Sequence, residues 1–148
     1  MSFVFEIGIT EKNNKEIEKK ETVEVIASKG IIGDRYFQDF NGDREQITLI
    51  ESENIDYYNK TFNTNFNYLQ FRRNIITKGI RLNDLIHKKI IIGNSEILGH
   101  QLCEPCLDLQ KQLNQKDLVK NLLHKGGLRA EILKSGKIST NDEILIKD

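Results

Sequence analysis

Short apolar, β-branched runs separated by polar turns recur along most of this chain, and that punctuation constrains the fold more than any other feature. Phe3 to Thr10, Thr22 to Ala27 and Arg44 to Glu51 each have strand length and the residue types that suit a pleated, half-buried surface. Phe71 to Thr77, Ala130 to Leu133 and Glu143 to Ile146 continue the series, and Lys88 to Leu102 reads as a hairpin closed near Gly93-Asn94. Helical periodicity is confined to brief stretches: Ser52 to Asn59 with Ser52 as N-cap, a short piece before Ile86, Leu107 to Leu113, and Lys116 to Leu123. The stretch from Thr61 to Asn67 reads as a loop. The 148 residues therefore predict a single domain, residues 1–148, that is mainly β and barrel-like, with a few short helices mostly in the second half.

Charge narrows the function classes. Lys+Arg and Asp+Glu are 22 each, so no global field draws in nucleic acid or a membrane surface. The first residues lack a basic region followed by an apolar segment of signal-peptide length, and no run approaches the roughly 18 apolar residues of a membrane span. The expectation is a cytoplasmic protein with reduced thiols. Six of the basic residues are arginines, mostly beside Gly, Asp or Asn. Guanidinium is the group suited to two-point recognition of phosphate or carboxylate, so this placement points to an anion site.

Chemistry concentrates in Leu102-Cys103-Glu104-Pro105-Cys106-Leu107, which holds both cysteines and the one proline. Cys106 follows Pro105 at a predicted helix start, where free backbone N–H groups and the helix dipole favour a thiolate. Cys103 sits at the preceding strand end, without that field, and Glu104 opposes negative charge on a nearby sulfur. Two small half-buried thiols, a zinc site completed by His87, His100 or His124, and a thioredoxin-like redox pair are the alternative readings of Cys-x-x-Cys. Elsewhere, Gly30-Ile31-Ile32-Gly33-Asp34-Arg35 reads either as a surface turn with an ion pair or as a turn that points Arg35 into a pocket with Asp34 fixing it. Arg72, Arg73 and Asn74 stand at the mouth of a strand; alternation would send the two arginines to opposite faces unless the backbone bulges. His124-Lys125-Gly126-Gly127 reads as a helix stop and tight passage into a strand beginning near Arg129, with His124 either a helix cap or a donor beside the cysteine.

Taken in order, Gly30 to Tyr36, Gln46 to Glu51, Phe71 to Ile75, Leu102 to Cys106 and His124 to Arg129 resemble the MOSC domain family, the module found at the C-terminus of molybdenum cofactor sulfurases and as free-standing bacterial proteins. The resemblance implies a β-barrel and a role in sulfur or molybdenum-cofactor chemistry, as a sulfurtransferase or as a cofactor-dependent reductase of N-hydroxylated compounds. It implies Cys106, with Cys103, as persulfide carrier, and Cys106 as the ligand to molybdenum. Asp34, Arg35, Asn74, His124, Arg129 and one of Arg72 and Arg73, the other being structural, are the implied partners of the anionic pterin, molybdopterin. No pyridoxal-phosphate desulfurase domain precedes this one, so sulfur is expected from a separate cysteine desulfurase, with a molybdoenzyme as recipient. The rival class is a non-catalytic module that binds an anion or partner, with incidental cysteines. Either way, iodoacetamide near neutral pH should label Cys106 before Cys103; peptide mapping by mass spectrometry that finds Cys103 labelled first refutes the assignment.

Overall fold

The computed structural model describes residues 1–13, 15–39 and 45–147. Arg44, expected to open the third strand, lies outside them. The strands are β1 (Phe3–Ile9), β2 (Glu18–Lys20), β3 (Thr22–Ile26), β4 (Gly30–Ile31), β5 (Ile47–Glu51), β6 (Ile75–Lys78), β7 (Lys89–Ile92), β8 (Ser95–Leu102), β9 (Leu128–Lys134), β10 (Gly136–Ser139) and β11 (Ile144–Lys147). The α-helices are α1 (Ser52–Phe62), α2 (Leu107–Gln112) and α3 (Leu118–Asn121), with 3-10 turns at Tyr68–Phe71 and Leu82–Leu85. Eight strands form one sheet in the order β11-β7-β8-β9-β5-β6-β1-β2, and β10-β3-β4 form a second.

The fold is mainly β, but both sheets are open. An isolated bridge between Phe3 and Glu143, with Val4 N–H donating to the Asp142 carbonyl, brings the start of β11 beside β1 near the far end of the sheet order. That bridge is not a continuous ladder, so the expected barrel is not closed by hydrogen bonding. The longest helix, α1, also lies in the first half of the chain, where the sequence predicts a shorter one.

The middle of the large sheet explains where the core sits. β5 and β6 are its parallel pair, with α1 in the crossover between them. Strands in such a unit are covered on both faces and read as apolar runs. Alternation sends Leu49 and Ile75 into a cluster with Ile7, Ile97 and Leu128, while Ile50 and Ile76 join Ile55, Tyr58, Phe71 and Leu109 beneath the helices. Burying each such Ile or Leu contributes about 1.5–3 kcal/mol, so two-sided packing makes β5 and β6 the best-anchored part of the sheet.

Local chemistry departs from the sequence reading in three places. Glu51, not Ser52, is the N-cap of α1, and it makes no side-chain capping bond; the Ser52 hydroxyl turns instead to the Glu53 carboxylate at 3.3 Å. The helix continues to Phe62, beyond the expected loop boundary, before Asn63 closes it in the left-handed region. Arg72 and Arg73 precede the strand rather than belonging to it, and Arg72, at φ 64°, ends the Tyr68–Phe71 turn. No helix among the described residues is long and apolar enough to cross a membrane.

The entry to β9 is the tightest passage. Gly127 has φ 108°, and a Cβ there would overlap the Leu49 carbonyl oxygen of β5 and lie 3.2 Å from the Ile50 Cα. A left-handed-side residue costs on the order of 1–3 kcal/mol, and here displacement of a core strand adds to it. Gly127→Ala should lose at least about 2 kcal/mol in urea denaturation; an unchanged midpoint overturns this account.

Candidate functional site

The Cys103–Cys106 segment leaves β8 and enters α2, and its geometry begins with strand register. Gln101 pairs with Arg129 and Leu102 with Leu128, so Leu128 faces the core while Arg129 faces away from it. The ladder extends one step further through the Cys103 N–H, which donates to the Gly127 carbonyl at 2.8 Å. Cys103 thereby falls on the face of Arg129, whose Nε donates to the Cys103 Sγ at 3.4 Å. Arg129 Nη1 also donates to Glu45 Oε1 at 2.8 Å. The bond to the sulfur, together with the Cys103 and Glu45 charges, raises the guanidinium above its ordinary value against the opposing effect of burial. Cys103 lies outside the helix start, and its positive partner is instead an arginine from the neighbouring strand.

Cys106 has the complementary position. It is exposed and forms the N-cap of α2, with extended backbone at φ −107° and its carbonyl accepting from Gln110 N–H at 3.1 Å. Its sulfur makes no capping bond. Both thiols are free, with Cys103 buried and Cys106 exposed.

Two adjacent arginines divide the remaining work. Arg73 Nε donates to the Gly126 carbonyl at 2.9 Å and Nη2 to the Cys103 carbonyl at 2.9 Å, with Glu104 O at 3.4 Å, so one planar group ties the outgoing cysteine segment to the returning glycines. Gly126 must be small for this approach, because a Cβ would overlap the Cys103 carbonyl and stand 2.7 Å from Pro105 Cδ. Arg72, turned the other way by its left-handed backbone, donates to the carbonyls of Lys15 and Asn13 at 2.8 Å each. Burial, then the charge of Arg35, pushes the Arg72 guanidinium below its ordinary value; Tyr36, Asp34 and Cys106 oppose that.

Arg35 lies behind Arg72, its side chain only 7% exposed. Nη2 donates to the Arg72 carbonyl at 3.2 Å, the guanidinium lies 4.5 Å from the Tyr36 ring centroid, and Nη1 has no hydrogen-bond partner, only the Asp34 carboxylate at 3.6 Å. Asp34 is itself buried and accepts from the Thr10 N–H. Tyr36 interacts electrostatically with both Arg72 and Arg129. Tyr36 thus links the three arginines, and the cysteines join through them: Arg129 bonds the Cys103 sulfur and Arg72 lies within electrostatic reach of Cys106.

The other sequence candidates lie elsewhere. Asn74 is buried in the sheet, where its amide oxygen accepts from Thr48 N–H and hydroxyl and its nitrogen donates to the Gly8 carbonyl. His124 is mostly exposed, and its Nδ1 lies 2.8 Å from Glu104 Oε2 while its N–H donates to Oε1 at 2.7 Å. The Glu104 carboxylate is thus engaged by His124. Neither Tyr36 nor Glu45 was singled out from the sequence. The Asp34-Arg35-Tyr36 run signalled Tyr36 only by adjacency, and nothing local marks Glu45 as the partner of an arginine 84 positions away. Among the described residues, no three His, Cys, Asp or Glu side chains are placed to hold a metal ion.

This geometry can now be set beside known proteins. The MOSC domain model matches residues 38–145, and the chain belongs to that family, which is associated with molybdenum-cofactor binding and sulfur-related functions. The fold is shared with the YuaD protein from Bacillus subtilis, at TM-score 0.85 and 18% identity over 99% of this chain and 96% of that one. YiiM from Geobacillus stearothermophilus gives 0.82 at 16% identity, over 100% of this chain and 76% of that one. YiiM from Escherichia coli gives 0.78 at 17% identity, over 100% and 70%. No curated protein matches the chain in sequence.

The two arginines should separate by experiment. Hydrogen bonds to a charged group are worth about 1.5–3 kcal/mol, so Arg73→Ala should cost about that much in denaturation through loss of the Cys103 and Gly126 ties. Arg72→Ala should cost less stability and weaken phosphate binding in calorimetric titration. Equal stability losses for the two variants contradict this division.

Proposed function

We propose that the chain binds the anionic pterin cofactor of molybdenum beside the cysteine segment, with Cys106 as the protein ligand to the metal. The observation that carries this is the pairing of two mutually repelling guanidinium groups, Arg35 and Arg72, within the electrostatic reach of an exposed thiol. Like charges held together inside a fold favour an anion that relieves them. The donor set fits the cofactor better than a bare ion: without a cluster of three protein ligands among the described residues, a metal must bring most of its own coordination and take one soft thiolate. When bound, the cofactor supplies a redox-active metal.

The chain's residues have separable duties in this reading. Arg72 receives the anionic group, and Arg35 braces the Arg72 backbone from behind while Asp34 limits the excess positive charge. Arg73 and the paired glycines hold the segment that presents Cys106. Arg129 places an N–H on the Cys103 sulfur and so gives the inner wall a fixed donor. In this reading the enzymatic activity is the reduction of an N-hydroxylated compound, the reaction that the family resemblance suggests for a bound cofactor.

A second reading is favoured by the exposure of Cys106, which leaves the sulfur within reach of another protein. The Cys106 thiolate would attack the terminal sulfur of a desulfurase persulfide, forming the new S–S bond as the donor's cysteine thiolate leaves. The persulfide would then pass to a molybdoenzyme. Metal analysis separates the readings. Protein purified from a cofactor-producing host should contain molybdenum near one per chain, falling to background in Cys106→Ser while Cys103→Ser retains part. Molybdenum at background in the wild type, with a Cys106 persulfide found by mass spectrometry, selects sulfur carriage; full molybdenum in Cys106→Ser overturns the ligand assignment.

A further inference from the structure

A concavity of about 830 Å³ is lined in part by Arg72 and contains neither cysteine in its lining. Its walls include Phe66 and Tyr68, the C-terminal end of α2 at Gln112, and Asn65 and Glu16. The volume is in the range of sites that enclose small organic molecules. Since α2 runs from Leu107, directly after its N-cap Cys106, to Gln112, the span from the exposed thiol to the groove is roughly 9 Å at 1.5 Å per residue, and Arg72 lines the groove while feeling the Cys106 charge.

The chemistry of the walls is uneven, and that unevenness selects a ligand. Tyr68 is fixed in place by its hydroxyl, which donates to Asp56 at 2.7 Å, and by an edge contact with Phe5 at 5.3 Å between centroids. Phe66 is held against Phe71 at 5.9 Å. These rings form a rigid apolar wall. The side-chain amides of Asn65 and Gln112 carry no hydrogen bond among the described residues, so both keep donors and acceptors for a ligand edge. Carboxylates from Glu6, Glu16 and Asp56 also line the groove, and only Lys19 and Arg72 oppose them. A second anionic group is therefore disfavoured away from Arg72, whereas hydroxyl and amino donors are welcome there.

We propose that this groove accepts the nucleoside end of a nucleotide-bearing ligand whose phosphate sits on Arg72. A flat heterocycle suits the aromatic wall and the two amides, ribose hydroxyls suit Glu16, and the phosphate meets the guanidinium, two of whose N–H groups are already anchored on Lys15 and Asn13. The inference rests on the anion reading of Arg72 and extends it to a substrate-sized neighbour. The nucleotide is either free or the extension of a pterin cofactor, because the recognising chemistry is the same.

Calorimetric titration of the 148-residue chain, made in a host without the cofactor pathway, tests this with inorganic phosphate and with nucleoside 5′-monophosphates carrying each base. At least one nucleotide should bind about tenfold or more tightly than phosphate, a difference of about 1.4 kcal/mol. Asn65→Ala with Gln112→Ala should remove that advantage while phosphate affinity stays unchanged, and Arg72→Ala should weaken both probes. Equal affinity for nucleotide and phosphate in the wild type, or an advantage that survives the double variant, overturns the groove assignment while leaving the anion site standing. Failure of phosphate itself to bind overturns both. Where the groove assignment holds, mass analysis of molecules released from protein made in a cofactor-producing host assigns the source: a pterin with nucleotide attached marks the extended cofactor, and a pterin without it marks a free nucleotide.

Discussion

Carbonyls from two crossing segments converge on one guanidinium, that of Arg73, and the cysteine site hangs on this convergence. The outgoing segment at Cys103 and Glu104 and the returning segment at Gly126 have few ladder partners for these oxygens, and a buried carbonyl without a donor is costly. A planar fork answers several of them at once, which an ammonium on a flexible stem does not do in a fixed geometry. The paired glycines make the approach possible, one by having no Cβ against Cys103 and Pro105 and the other by adopting φ 108° over β5. The site is therefore built on the most deeply packed part of the sheet, since Gly127 rests directly on Leu49 and Ile50 of β5.

Much of the fold was legible because burial has a period. β1, β3 and the β7–β8 hairpin follow alternating or continuous apolar runs, and the Ile-Thr-Leu-Ile run of β5 is apolar throughout because both faces are covered. Partnerships distant in sequence were not legible. β3 pairs with β10, bringing Val23 opposite Ile138, and no local pattern in Thr22–Ile26 names that partner. The failure at Arg72 and Arg73 has a different cause: a non-glycine residue in the left-handed region leaves no mark in composition, so the strand pattern that starts at Phe71, within a turn, runs four positions ahead of β6, which begins at Ile75.

The same turn explains why neighbouring arginines have opposite duties. Strand alternation would also have separated them, but it would have left both at a sheet surface. The left-handed residue directs Arg72 toward the Lys15 loop and Arg35, while Arg73 runs under the cysteine segment. For the cysteines, the helix-start position of Cys106 was readable from Pro105 and the leucines that follow. The partner of Cys103 was not, because Arg129 lies 26 residues away and reaches the sulfur only through the β8–β9 register. The bulge between Gly99 and Gln101 shifts that register just before the site, and one residue of shift decides which face a side chain takes.

Strain and charge are both concentrated here. Arg72 and His124, each at φ 64°, flank the segment, and such residues persist only where the surroundings over-determine them. At Arg72 the determining contacts are carbonyl bonds on both sides of the turn; at His124 they are the two bonds to Glu104. Charge follows a similar economy. Asp34 faces Arg35, Glu45 faces Arg129 and Glu104 faces His124, whereas among the described residues Arg72 is bonded to neutral carbonyls in addition to facing Arg35. A carboxylate at that point would have relieved the repulsion and closed the position to any other anion. Carbonyl anchors fix Arg72 and Arg73 alike; what sets Arg72 apart is the second guanidinium, Arg35, standing beside it, a repulsion that its carbonyl bonds hold in place and do not relieve.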